Sequence, residues 1–329
     1  VPAVDDDPDE GSVDALPPRP DDFVAIGTPT IVAGDLGGAD LSAWCAEHEV
    51  VDVEGSVIIE GAKGRDLADL GCLHRVGGSL EIRLSPKLES LSGLDRLVEV
   101  GGVLLVQQNA ALMTLHGLDS LRSVGSAVVI DRNPALEELD GLANVERAGA
   151  LFVVDSPALE DLRGLASLVE VTGSIHVERN RSLVDLRGLE GLQIAPDVLL
   201  VNDNEALVSL RGLDSLAGAD WVALYDNPAL DDVTALAGLE EVGALEVVGN
   251  YALTSLSGLD HLAGVTGHVA VDDNRSLVDV GALHGVQWVG QDLRVTGNPS
   301  LPSLAVGDLV DAIGPGNVGG EIEVGDNGV

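Results

Sequence analysis

Residues Ala206 to Asn227 read ALVSLRGLDSLAGADWVALYDN. The skeleton is Leu207, Leu210, Gly212, Leu213 and Leu216, then the run Trp221-Val222-Ala223-Leu224-Tyr225, then Asn227. Nearly the same skeleton recurs about every 23 or 24 residues from Ser79 to Pro299, and a fixed period of that size marks a solenoid. One such unit cannot bury its own apolar face, so stacking on its neighbours must supply the core.

Outward from this stretch, each coil opens on an Asn-x-x-Leu corner: Asn109/Leu112, Asn133/Leu136, Asn180/Leu183, Asn204/Leu207, Asn227/Leu230, Asn250/Leu253, Asn274/Leu277 and Asn298/Leu301. Ser85 and Ser156 replace Asn in two coils. Leu-x-x-Leu and Gly-Leu follow, as in Leu115-His116-Gly117-Leu118. A second glycine precedes many strands, at Gly78, Gly101, Gly125, Gly149, Gly173, Gly243, Gly267 and Gly290, and reads as a bend residue. The corner Asn side chains are expected to bond the backbone of the next coil. Asn180 and Asn274 also match the glycosylation sequon, but their place in this ladder argues against a sugar.

The strands alternate in-out-in: Leu80-Glu81-Ile82, Leu104-Leu105-Val106, Val128-Val129-Ile130, and so on to Leu293-Arg294-Val295. With Val57-Ile58-Ile59 and Ile322-Glu323-Val324 there are about 12, which at about 4.8 Å per coil give a parallel sheet roughly 55 Å long. The expected fold is an all-β solenoid with short helical caps. It divides into a tail (1–20), a cap and first coil (21–78), the repeats (79–303) and a closing cap (304–329). Within the caps, Phe23–Ile26 and Thr30–Val32 read as strands, and Asp40–His48 as a helical turn with Asp40 as N-cap. Leu304–Ile313 reads as a helix.

The opening around Cys45 and Cys72, the GGSLEI strand and the recurring L-x-x-L-x-G-L-x-x-L-x-x-V-G-x-L-x-V-x-x-N resemble the receptor L domain. That family is a leucine-rich, right-handed β-helix found in receptor ectodomains and bacterial surface proteins. The resemblance covers about residues 45–324 and implies extracellular recognition or adhesion. The array is longer than a usual single L domain and lacks the accompanying Cys-rich modules and kinase.

Acidic residues number 55 against 17 basic ones, a formal charge of -38. Such a field repels nucleic acid and anionic membranes. Lys63 and Lys87 are the only lysines, a balance suited to salty surroundings. No cofactor is expected; divalent cations are the one class of small ligand such a surface could gather. Asp5-Asp-Asp7-Pro-Asp9 resembles the start of a calcium loop, but Glu10 and Leu16 stand where a turn glycine and a bidentate Glu belong. No apolar run is long enough to span a bilayer, and VPAVDDDPDEGSVDALPPRP reads as a processed amino terminus. Cys45 and Cys72 are either a disulfide, the expected state in an oxidising extracellular setting, or two buried thiols.

No catalytic constellation stands out, and the chain reads as a non-enzyme. The seven histidines are scattered. Gly314-Pro-Gly316-Asn-Val-Gly319 spells a dinucleotide fingerprint but does not join a strand to a helix, so it reads as a loop. The outward side chains say more. Leu105, Val129, Phe152, His176, Leu200, Trp221, Ala223 and Tyr225 make an oddly apolar face for so acidic a chain. A contiguous exposed apolar face marks an interaction site. Two uses are expected of the chain: a structural or adhesive role in contact with a protein partner or a second copy, through this face, the coil ends or the amino-terminal tail, or a carbohydrate or peptide seated on Trp221 and Tyr225.

Overall fold

The computed structural model describes residues 28–329, so the acidic tail, the expected strand Phe23–Ile26 and the calcium-like Asp5–Asp9 run lie outside the described residues. From Thr30 onward the chain winds into one large parallel sheet with two α-helices, Gly38–Glu47 and Ser303–Ile313, near its ends. The long ladder carries Val57, Leu80, Leu104, Val128, Leu151, Ile175, Leu199, Val222, Leu245, Val269, Leu293 and Ile322 in register. Val106, Val177 and Val247 fall in one column two residues further on, and all three are fully buried. These are the strands expected from the period-two alternation.

A second, shorter ladder was not foreseen. It runs through Val51–Val53, Leu73–Val76, Glu99–Val100, Ser123–Val124 and Arg147–Ala148, and on to Trp288–Val289. Its buried member is the residue just before the recurring glycine, as at Val76, Val100, Val124 and Val242. Most coils therefore have two sheet faces meeting at a glycine corner, while Pro196 and Asp220 follow the short-ladder residue in two of them.

The third side is an arc of three-residue turns. Leu118 N–H bonds Leu115 C=O at 3.2 Å, and Leu121 N–H bonds Leu118 C=O at 2.9 Å. An i→i+3 arc returns every third side chain to the same side, which is why Leu112, Leu115, Leu118 and Leu121 are all buried.

The two glycine columns do different work from simple bending. Gly101 has no left-handed φ, but a Cβ there would lie 2.3 Å from the Gly77 carbonyl oxygen of the coil beneath. The second glycine is thus required by close approach of coils, not by turn conformation. Left-handed backbone occurs instead at five of the Gly-Leu glycines, Gly93, Gly117 (φ 113°), Gly188, Gly212 and Gly258, and at the residue before each corner Asn, such as Gln108, Asp203 and Asp226.

The Asn column is structural, as expected. Asn204 Oδ1 accepts from Asn180 N–H at 3.0 Å, and its Nδ2 donates to Val177 C=O at 2.9 Å, one coil away. The same pattern holds at Asn109, Asn227, Asn250, Asn274 and Asn298. Asn180 and Asn274 are fully buried with Nδ2 engaged, so neither amide is presented for glycosylation.

At the amino end, Cys45 and Cys72 form a disulfide with Cα atoms 5.1 Å apart, tying the cap helix to the first full coils. That helix starts earlier than expected. Its N-cap is Gly37, and Asp40 lies within the first turn, where its charge meets the helix dipole without capping a backbone N–H. At the carboxyl end Val306, Leu309 and Ile313 are buried, while Leu304 faces solvent.

Candidate functional site

The outward residues of the long ladder form one straight column because parallel pairing keeps every rung in phase. Leu105 lies opposite Val129, Val129 opposite Phe152, Phe152 opposite His176, and His176 opposite Leu200. All five are half-buried, since neighbouring coils shade one another. The Phe152 and His176 rings meet edge to face with centroids 4.9 Å apart. His176 Nδ1 lies 3.2 Å from Glu178 Oε1, and Arg179 and Asn202 hold the other oxygen of Glu178.

The next rung departs from expectation. Ala223 points outward but is only 1% exposed, so it is not available as a contact residue. Its methyl lies in register between the longer side chains of Leu200 and Glu246, which overtop it. Trp221, on the same strand, is 37% exposed. Tyr225 is half-buried, and its hydroxyl donates to Glu246 Oε2. Burial, then the bond to and charge of Glu246, push the Tyr225 phenol well above its ordinary value.

Beyond Tyr225 the column turns polar. Glu246 Oε1 lies 2.6 Å from His268 Nε2, and Arg294 Nε donates to Asp272 at 2.6 Å. That bond to Asp272, outweighing burial, holds the Arg294 guanidinium above its ordinary value. An open depression of ≈ 360 Å³ lies here, floored by Ala270 and walled by Glu246, His268, Asp292, Arg294 and Glu323. The central column is therefore apolar from Leu105 to Ala223 apart from His176, and from Glu246 to Glu323 it is charged apart from Ala270. The Glu246–His268 pair escaped the sequence reading. Its signal was the period itself, which sets His268 beside Ala244 and so next to Glu246.

Among the described residues, no three His, Cys, Asp or Glu side chains are grouped to hold a metal ion. Gly314–Gly319 runs from the helix Ser303–Ile313 to the strand Ile322–Gly325, the reverse of the order a phosphate cradle needs. Among the described residues, no helix is long and apolar enough to cross a membrane. No protein-family model matches the chain, and no curated protein matches it.

Proposed function

We propose that the chain is a non-catalytic, extracellular surface protein of the receptor L type that works by contact, in a structural or adhesive role that includes association with itself. One observation carries this reading: the in-register apolar column Leu105–Val129–Phe152–His176–Leu200 on the outer face of a chain with a charge of -38. A solvated ladder has no need of aliphatic and aromatic side chains there, and covering them removes apolar area from water. The disulfide between Cys45 and Cys72 suits an oxidising compartment.

Light scattering from low to high salt tests it. Salt screens the like-charge repulsion, so wild-type protein should gain mass as salt rises. A Phe152→Glu, Leu200→Glu double variant should stay smaller at every salt. A wild-type protein that is monomeric throughout would refute the reading.

The exposure of Trp221 supports a second reading, a receptor-like module that stacks a carbohydrate or a peptide side chain on that strand. Glycan-array binding that disappears in Trp221→Ala would favour it over the first.

A further inference from the structure

The outer face of the long ladder repeats itself in reverse order about one strand, Arg147–Val154, whose outward side chains are Ala150, Phe152 and Val154. In the central column Leu105 and Leu200 stand two coils from Phe152 on opposite sides, and Val129 and His176 stand one coil from it. Two residues later along each strand, Gln107 and Asn202 stand two coils from Val154, and Asp131 and Glu178 one coil. Two residues earlier, Val103 and Val198 lie outermost, small Ala127 and Ser174 lie inside them, and Ala150 is central. Positions equally far from Phe152 therefore carry like residues: leucine with leucine, valine with valine, amide with amide, acid with acid. The one unlike pair is Val129 and His176, and His176 Nδ1 is already turned to Glu178.

The bonds follow the same plan. Gln107 Nε2 donates to Asp131 Oδ2 at 2.7 Å, and Asn202 Nδ2 donates to Glu178 Oε2 at 3.3 Å, so each amide reaches inward to its acid. At the corner, Arg132 Nε and Arg179 Nε approach Asp155 from the coils on either side, at 3.9 and 2.9 Å. Each arginine also holds the acid of its own strand, Arg132 to Asp131 at 3.5 Å and Arg179 to Glu178 at 3.1 Å. Two cations against three carboxylates make this strip far closer to neutral than a chain of charge -38 is elsewhere. Winding with a fixed period repeats a pattern in one direction and gives no reason for a reversed one. A face that meets its own copy about a twofold axis does need that order, because residues equidistant from the axis become partners.

We propose that this face pairs with the same face of a second copy about a twofold axis lying along Ala150–Val154. This rests on the self-association reading above and names its geometry. The strands of the two copies run the same way, their coils run in opposite order, and the sheets lie about 10 Å apart. Phe152 then meets Phe152, Leu105 meets Leu200, and Val103 meets Val198. One coil further out, bulk meets gap: Trp221 falls opposite Ser79, and Ala223, overtopped on its own face, falls opposite Glu81. Asp131 falls opposite Glu178 of the second copy, but each brings its own amide and arginine, and salt screens what repulsion is left. A twofold axis along the solenoid is the poorer choice. It would lay Ala127 over Asp131 and Val198 over Asn202, and would set Glu246, Arg294 and Glu323 each against itself in the other copy.

Thiol cross-linking reads the arrangement. Val103 and Val198 are half-buried on the face, and cysteine keeps them small and apolar. Under the proposed pairing Val103 lies opposite Val198 of the second copy, whereas two copies of the same position are four coils, about 19 Å, apart along the face. Full-length Val103→Cys and Val198→Cys proteins, each melting as wild type, are treated in high salt with a bifunctional thiol reagent that just spans sheets about 10 Å apart. An equal mixture should give a covalent dimer on a denaturing gel, and each protein alone several-fold less. Scattering mass should level off at the dimer, because the contact closes on itself. Either variant alone linking as strongly as the mixture overturns the proposed axis and leaves the self-association reading standing. Assembly with no link in the mixture, or growth past the dimer, does the same. A monomer at every salt overturns both.

Discussion

Replacing Asn204 by Ala should cost more than almost any other polar substitution in this chain. The side chain is fully buried. Its Oδ1 satisfies Asn180 N–H at 3.0 Å; its Nδ2 satisfies Val177 C=O at 2.9 Å and reaches Asn227 Oδ1 at 3.1 Å. Alanine leaves the Asn180 N–H without a partner in a dry corner and removes the second bond to Val177 C=O, which stays in the strand ladder. At about 1–3 kcal/mol for the stranded donor and about 1 kcal/mol for the lost bond, the loss is about 2–4 kcal/mol. Asp is no rescue, because it accepts from Asn180 but cannot donate to Val177, and it buries a charge. Ser stands naturally at Ser85, where its Oγ accepts from Ala62 N–H of the preceding coil at 3.0 Å, so Asn204→Ser should fall between wild type and Ala. Urea denaturation followed by circular dichroism measures the difference. In a nearest-neighbour stack the weakened coil also separates the two halves, so the Ala variant should unfold over a broader or divided transition. A loss below about 1 kcal/mol with an unbroken transition would show that the Asn column does not join the coils.

Gly212→Ala should be as damaging for a different reason. Gly212 has φ 115°, and an added Cβ would lie 2.0 Å from Leu186 C=O, a backbone atom that cannot swing away. A loss of at least about 3 kcal/mol, or failure to fold, is expected, and near-wild-type melting would contradict it. Tyr225→Phe tests the alkaline limit. Because the folded phenol is held above its ordinary value, its contribution is complete below pH about 10 and is lost as pH rises through the folded value. Wild type should therefore lose stability above pH about 10 more steeply than Tyr225→Phe, as thermal melts across that range would show. Reducing the Cys45–Cys72 disulfide, which spans 27 residues, should cost roughly 3–4 kcal/mol in the chain-entropy view. Hydrogen exchange should place that loss in the cap helix and first coils, leaving the coils around Asn204 protected.

The coil plan was legible because its causes are local and repeated. Period-two alternation at Leu104-Leu105-Val106 and the constant return of Asn and Leu name the interior column without any long-range knowledge. What stayed hidden depends on which coil lies beneath which. The short ladder at Val100 and Val124 is only two residues long, too brief to show a period of its own. Gly101 looks like a bend residue until the Gly77 carbonyl appears beneath it. Ala223 looks exposed by alternation, and its burial comes from the longer side chains of Leu200 and Glu246 on either side.

The acidity shows the same division. Read as composition, 55 carboxylates suggest a generally solvated surface. In the folded coils many of them are acceptors with a place in the repeat. Gly93, Gly117, Gly212 and Gly258 give their N–H groups to Asp95, Asp119, Asp214 and Asp260 two residues on, at 2.7–2.9 Å. Gly188 uses Glu190 in the same way. These glycines hold φ between 112° and 115°, and their N–H groups take a carboxylate as partner. Asp119 registers the effect. Burial raises its pKa, but the Gly117 N–H and His116 outweigh that and hold the carboxyl below its ordinary value. An acceptor-only side chain two residues after a left-handed glycine is a physical reason for Gly-Leu-Asp, where composition alone offers only charge. Part of the -38 is thus fixed by the winding of the chain, and the outer apolar column stands out more sharply against it.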